Sequence, residues 1–71
     1  MARDICAAVG ERIRALRKAR GWRQVDLAAH SGIAETYLSH LERGQKEICL
    51  RNLQVLAQTF EKSLSELLKG L

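Results

Sequence analysis

Proline is absent from this chain, and aromatic residues are nearly so, with one each of Trp, Tyr and Phe in 71 residues. Chain reversals therefore fall to the five glycines. The longest apolar run, Ile5–Val9, is far too short to cross a bilayer. It is also short for a signal-peptide core, and Asp4 stands where a basic flank is wanted, so a cytoplasmic location with no membrane partner is expected. The two cysteines, Cys6 and Cys49, lie far apart and fit no disulfide framework. Cys6 is expected in the core, and Cys49 as a weak helix cap or, alternatively, a redox-active thiol. Zinc ligation by Cys6, Cys49, His30 and His40 lacks any close ligand pair, so neither metal nor cofactor is expected. No nucleophile–base pair or paired-carboxylate motif stands out, and the chain is too short for a cleft between two domains. Enzymatic activity is not expected.

What the chain does have is charge, at 28% of residues, and apolar side chains, at 46%, the mixture of a folded single domain spanning residues 1–71. The net charge of +4 is unevenly placed. Residues 1–23 hold seven cations (Arg3, Arg12, Arg14, Arg17, Lys18, Arg20, Arg23) against Asp4 and Glu11, whereas residues 24–71 are slightly acidic. An anionic partner and an ordinary solvated basic helix face account for this equally well.

Periodicity predicts five short helices and no strands. The first places Ile5, Val9, Ile13 and Leu16 on one stripe with Cys6, starts at an Asp4 N-cap and stops at Gly21. Gly10 inside it costs about 1 kcal/mol relative to Ala, a cost that a close helix crossing would explain. A second helix begins near Gln24 and ends at residues 30–31 before Gly32. A third spans about 34–43, with Ala34, Leu38 and Leu41 within about 60° of one another on the wheel. A fourth, about 50–60, puts Leu50, Leu53, Leu56, Ala57 and Phe60 inward. The fifth opens at the capping box Ser63-Leu64-Ser65-Glu66.

Residues 24–43 have the pattern of a helix-turn-helix. Ala28 is small enough for a close crossing, Gly32 permits the turn, and Ile33, Leu38 and Leu41 line the inside. The outer face of the third helix then carries Glu35, Thr36, Ser39, His40 and Arg43, groups suited to base edges and phosphates.

The stretch Leu16-Arg17-Lys18-Ala19-Arg20-Gly21, followed by Arg23–Ala28, Ser31-Gly32-Ile33 and Thr36–Gly44, resembles the Xre family of phage repressor and Cro-like proteins. Leu50, Leu53, Leu56-Ala57 and Ser63–Leu67 continue the resemblance, which covers residues 11–69. Thr36-Tyr37-Leu38-Ser39 looks most like the controller proteins of restriction-modification systems. The resemblance implies an all-α, five-helix, λ-repressor-like domain that regulates transcription, autoregulation included. It implies a homodimer on a pseudo-palindromic operator in double-stranded DNA, with RNA polymerase as a further candidate partner.

Under that resemblance Gln24 matches a phosphate-contacting glutamine at a helix start, where unpaired N–H groups and the helix dipole assist. Arg23 stands where an N-cap Ser or Thr is usual, and reads as a backbone clamp. Thr36, Ser39 and His40 are candidates for base edges. Glu35, unusual for controller-like sequences, either accepts from cytosine N4 or restrains a neighbouring arginine. Tyr37 reaches a phosphate or packs partly into the core, and Arg43 contacts the backbone. Arg17 and Glu42 match a structural salt bridge between the first and third helices. One recognition helix reads few base pairs, so a dimer is expected through helices at about 50–69, using Val55, Thr59, Leu64, Leu68 and Leu71. The competing reading is an antitoxin or other protein-interaction module with an autoregulatory helix-turn-helix. The chain's end soon after the fifth helix weighs against it.

Overall fold

The computed structural model describes residues 4–71; Arg3, counted above among the basic first third, lies outside the described residues. Five helices follow in order: α1 Ile5–Ala19, α2 Gln24–Ser31, α3 Glu35–Glu42, α4 Leu50–Thr59 and α5 Leu64–Leu67. No strand occurs among the described residues. The fold is all-α, as the periodicity predicts.

Three of the five helices, α1, α4 and α5, start at a side-chain cap that the sequence supplies. The Asp4 carboxylate accepts from the Ala7 N–H at 3.1 Å. Cys49 Sγ accepts from the Asn52 N–H at 3.4 Å, the weak-cap role expected of a thiol. Ser63 and Glu66 close a reciprocal capping box at 3.1 and 2.8 Å. Between α2 and α3, Gly32 adopts φ +75°, and its N–H bonds the Ala28 carbonyl at 2.8 Å. This left-handed step turns α3 across α2 and costs an L-residue more than it costs glycine.

The core gathers Ile13, Leu27, Leu38, Leu41, Leu56, Phe60 and Leu67, all essentially without solvent exposure. Trp22 packs against this core and stacks with His30 at 4.3 Å and with Phe60 at 6.0 Å between ring centroids. Gly10 explains itself here. A Cβ on it would collide with the Leu41 carbonyl oxygen and lie 3.0 Å from that of Glu42, so only glycine lets α1 and α3 meet backbone to backbone.

Four apolar expectations are corrected. Ile5 is 57% exposed and Leu50 is 72% exposed. Each is the first residue of its helix, and the core begins one turn further on, at Val9 and Leu53. Ala34 is exposed because it is the N-cap of α3 and lies outside the helical wheel. Cys6 is only half-buried, on the wall of an apolar pocket it shares with Ile5, Val9, Leu68 and Leu71.

The short α5 is tied back to α1 by an arginine the sequence reading left unassigned. Arg12 donates to the Leu67 carbonyl at 2.9 Å and to the Lys69 carbonyl at 2.7 Å, satisfying acceptors that a helix C-terminus leaves open.

Candidate nucleic-acid interface

The site is built on one buried ion pair. Arg17, in the last turns of α1, donates through Nε to Glu42 Oε2 at 2.7 Å and through its second terminal nitrogen to Oε1 at 2.9 Å. Its remaining terminal nitrogen donates to the Trp22 carbonyl at 2.8 Å. Both residues are 8% exposed, and the hydrogen bonds that Arg17 donates to Glu42 raise the Arg17 pKa above the ordinary guanidinium value. The fork-to-carboxylate geometry fixes the C-terminal end of α3 against α1.

Gln24, the first residue of α2, joins this pair. Its Nε2 donates to Glu42 Oε1 at 3.1 Å, an assignment required because a carboxylate only accepts. One N–H of the carboxamide stays available, next to the unpaired first-turn N–H groups of α2. Arg23 precedes it, exposed. Having no acceptor in its side chain, it cannot cap α2 itself. Instead Asp26 accepts from the Arg23 backbone N–H at 2.8 Å and from its guanidinium at 3.2 and 3.3 Å. These contacts hold the Asp26 carboxyl below its usual range and raise Arg23.

On α3, Glu35 and Thr36 are exposed, while Ser39 and His40 are half-buried on the same outer side. Arg43 folds back along the helix, donating through Nε to the Ser39 carbonyl at 3.3 Å, with a terminal nitrogen 3.4 Å from His40 Nδ1. His40 Nδ1 also lies 3.1 Å from Gln45 Oε1, which leaves Nε2 as its outward nitrogen. Tyr37 takes the second of its two expected positions. It packs against the core, and its hydroxyl donates to the Glu47 carbonyl at 2.7 Å, so in this arrangement it has no proton for a phosphate.

The residues expected at a dimer contact are less uniform. Leu64 and Leu68 pack partly against the core, and Leu71 is 46% exposed. Val55, placed by the wheel opposite the core, is half-buried, and Thr59 turns its hydroxyl onto the Val55 carbonyl at 2.8 Å. The more exposed apolar side chain is Leu50, which borders a shallow groove with Arg51, Gln54 and Leu64.

The arrangement has counterparts among known proteins. A helix-turn-helix family model matches residues 13–67. The HTH-type transcriptional regulator DdrOP3 of Deinococcus deserti is 45% identical over 84% of this chain, and the chain spans 46% of that protein's length. The control protein C.SmaI of Serratia marcescens is 32% identical over 92% of this chain and 77% of its own. Among solved structures, the restriction-modification controller protein C.AhdI of Aeromonas hydrophila superposes with a TM-score of 0.82 at 37% identity, covering 87% of this chain and 94% of the other. With more than half its length matched by the family model and its fold shared with a controller protein, this chain belongs to the helix-turn-helix family.

Proposed function

We propose that the chain is a sequence-specific DNA-binding regulator of transcription, a binding protein rather than an enzyme, that sits on a pseudo-palindromic operator as a homodimer with α3 in the major groove. The observation that carries this reading is the division of α3. Its inner side is locked to α1 by the Arg17–Glu42 pair and the Gly10 crossing, and its outer side offers Glu35, Thr36, Ser39 and His40. A helix held this rigidly presents its side chains to base edges at little entropic cost. Gln24 and Arg43 flank that face as phosphate clamps, with Arg23 at the N-terminal edge of α2.

The likeness to C.SmaI and C.AhdI supports the narrower reading of a restriction-modification controller acting on its own promoter. Dimerisation falls to α4 and α5, where Leu50, Leu64 and Leu71 keep apolar surface toward solvent.

Mobility shift with footprinting on the DNA upstream of the gene, at two salt concentrations, tests the whole reading. The expected result is a protected palindrome that survives competitor DNA, with half-site centres about one helical turn apart. Binding lost entirely to moderate salt or competitor would reduce the protein to a non-specific polycation and overturn it.

A further inference from the structure

α1 holds much of the positive charge, and one of its arginines lacks a partner among the described residues. Arg14 makes no hydrogen bond or ion pair with any described residue. It lines a polar cleft of about 230 Å³ whose other walls are Arg17, Gln24, Ser39, Glu42 and Arg43, residues of α1, α2, α3 and its C-cap. We propose that this cleft receives a backbone phosphate of bound DNA and that Arg14 is one of its ligands, so that three helices touch the duplex. The proposal rests on the DNA-binding reading and adds a contact to it.

The electrostatics of the cleft are those of an anion site. Glu42 does not repel an incoming phosphate, because Arg17 and Gln24 already occupy its two oxygens. The floor is thus close to neutral. What remains above it is Arg14 without a counterion, Arg43 with only a carbonyl and an imidazole as neighbours, and the second N–H of Gln24. Arg14 and Arg43 share a cleft whose one carboxylate, Glu42, is already paired with Arg17, so they repel each other, and a bound phosphodiester removes that repulsion.

The geometry has a simple sequence origin. Arg14 and Arg17 are three residues apart and share one face of α1, so the helix that buries Arg17 against Glu42 carries Arg14 to the rim of the same cleft. Ser39 also lines the cleft and belongs to the outward side of α3, which places the cleft beside the proposed base-reading face. A free inorganic anion has the same chemistry. The position beside α3 favours a phosphate belonging to the duplex that α3 reads.

The test compares Arg14→Gln with the unaltered protein on the operator and on an unrelated duplex over a series of salt concentrations. Loss of one phosphate contact is expected to lower the slope of log K against log salt by about one unit per protomer, and affinity at 0.1 M salt by about tenfold per protomer. The ratio of specific to non-specific affinity should stay unchanged. A duplex with single neutral methylphosphonates should contain one position that weakens the unaltered protein and leaves Arg14→Gln indifferent. Circular dichroism confirms that the variant is folded, and Arg14→Lys, which keeps the charge, should recover most of the slope. An unchanged slope, or a loss confined to one base sequence, overturns the phosphate assignment while leaving the regulator intact. Failure of the unaltered protein to bind the operator overturns the regulator instead. Competition by inorganic phosphate beyond that of chloride at equal ionic strength would transfer the site to a free anion and overturn the duplex assignment.

Discussion

At the residue scale, the Arg17–Glu42–Gln24 cluster ties α1, α2 and α3 together, and under the proposed function it couples stability to recognition. Glu42→Ala leaves a buried guanidinium without its carboxylate, and the expected loss is about 3–5 kcal/mol in urea unfolding. Operator affinity should fall with it, because the C-terminal end of α3 and the carboxamide of Gln24 lose the same anchor. Stability equal to that of the unaltered protein would remove the structural role of the pair. Two surface carboxylates give the fold an acid-sensitive edge. Asp26 is held below its ordinary value of 3.8 by the Arg23 guanidinium and backbone N–H. Glu66 is held below 4.5 by the Ser63 backbone N–H and side chain. A depressed folded-state value adds stability that is complete above the ordinary value and disappears as pH falls through the lowered one. Stability against thermal unfolding should therefore fall as pH drops below about 4.5, and Glu66→Gln should flatten part of that decline. A profile identical in the variant would show that titration of Glu66 contributes nothing to the acid sensitivity.

At the scale of elements, the α1–α3 crossing is the joint that fixes the position of α3. Alanine is the better helix former by about 1 kcal/mol, so isolated-helix reasoning predicts that Gly10→Ala stabilises. The structure predicts the reverse. The added methyl meets backbone carbonyls of Leu41 and Glu42, which cannot move aside as a flexible side chain would. A net destabilisation of about 1–3 kcal/mol is expected, read from denaturant midpoints, with α3 displaced and operator binding weakened. A more stable variant would show that α1 and α3 separate more readily than this packing implies. The α4–α5 connection illustrates the opposite case. Glu61 takes φ 57° with no glycine to mark the turn, and the corner is supported by Arg20, which donates to the Phe60 carbonyl at 2.9 Å and to Glu61 at 3.3 Å. Nothing local in the sequence announces that turn, because its support comes from an arginine forty residues away.

At the scale of the whole molecule, charge and apolar surface are placed at different sites. Arg14 and Arg17 of α1, Gln24 at the start of α2 and Arg43 at the end of α3 gather around one polar cleft, while Leu50, Leu64 and Leu71 lie on the α4–α5 portion. Leu50→Glu should leave protomer stability nearly unchanged, since the side chain is already 72% exposed. It should convert a dimer to a monomer in sedimentation velocity and lower operator affinity steeply, because two half-sites are no longer bound together. A variant that still sediments as a dimer would move the interface away from the α4 N-terminus.

Much of the architecture was determined by the sequence alone. Asp4, Ser63 and Glu66 cap helices through contacts three residues away, Gly32 turns the chain within its own dihedral angle, and the Leu38/Leu41 spacing needs only a helix to define an inside. Such features depend on neighbours in the chain, so they can be read before anything is folded. The tertiary structure decided the rest. It left Ile5 and Leu50 outside the core by ending the packing one turn short, and it turned the Tyr37 hydroxyl onto Glu47. It gave Gln24 to Glu42, fastened α5 with Arg12, and stood Arg14 unpaired at a polar cleft. Each of these depends on which residues of other segments lie within a few ångströms, a distance that helical periodicity within one segment does not contain.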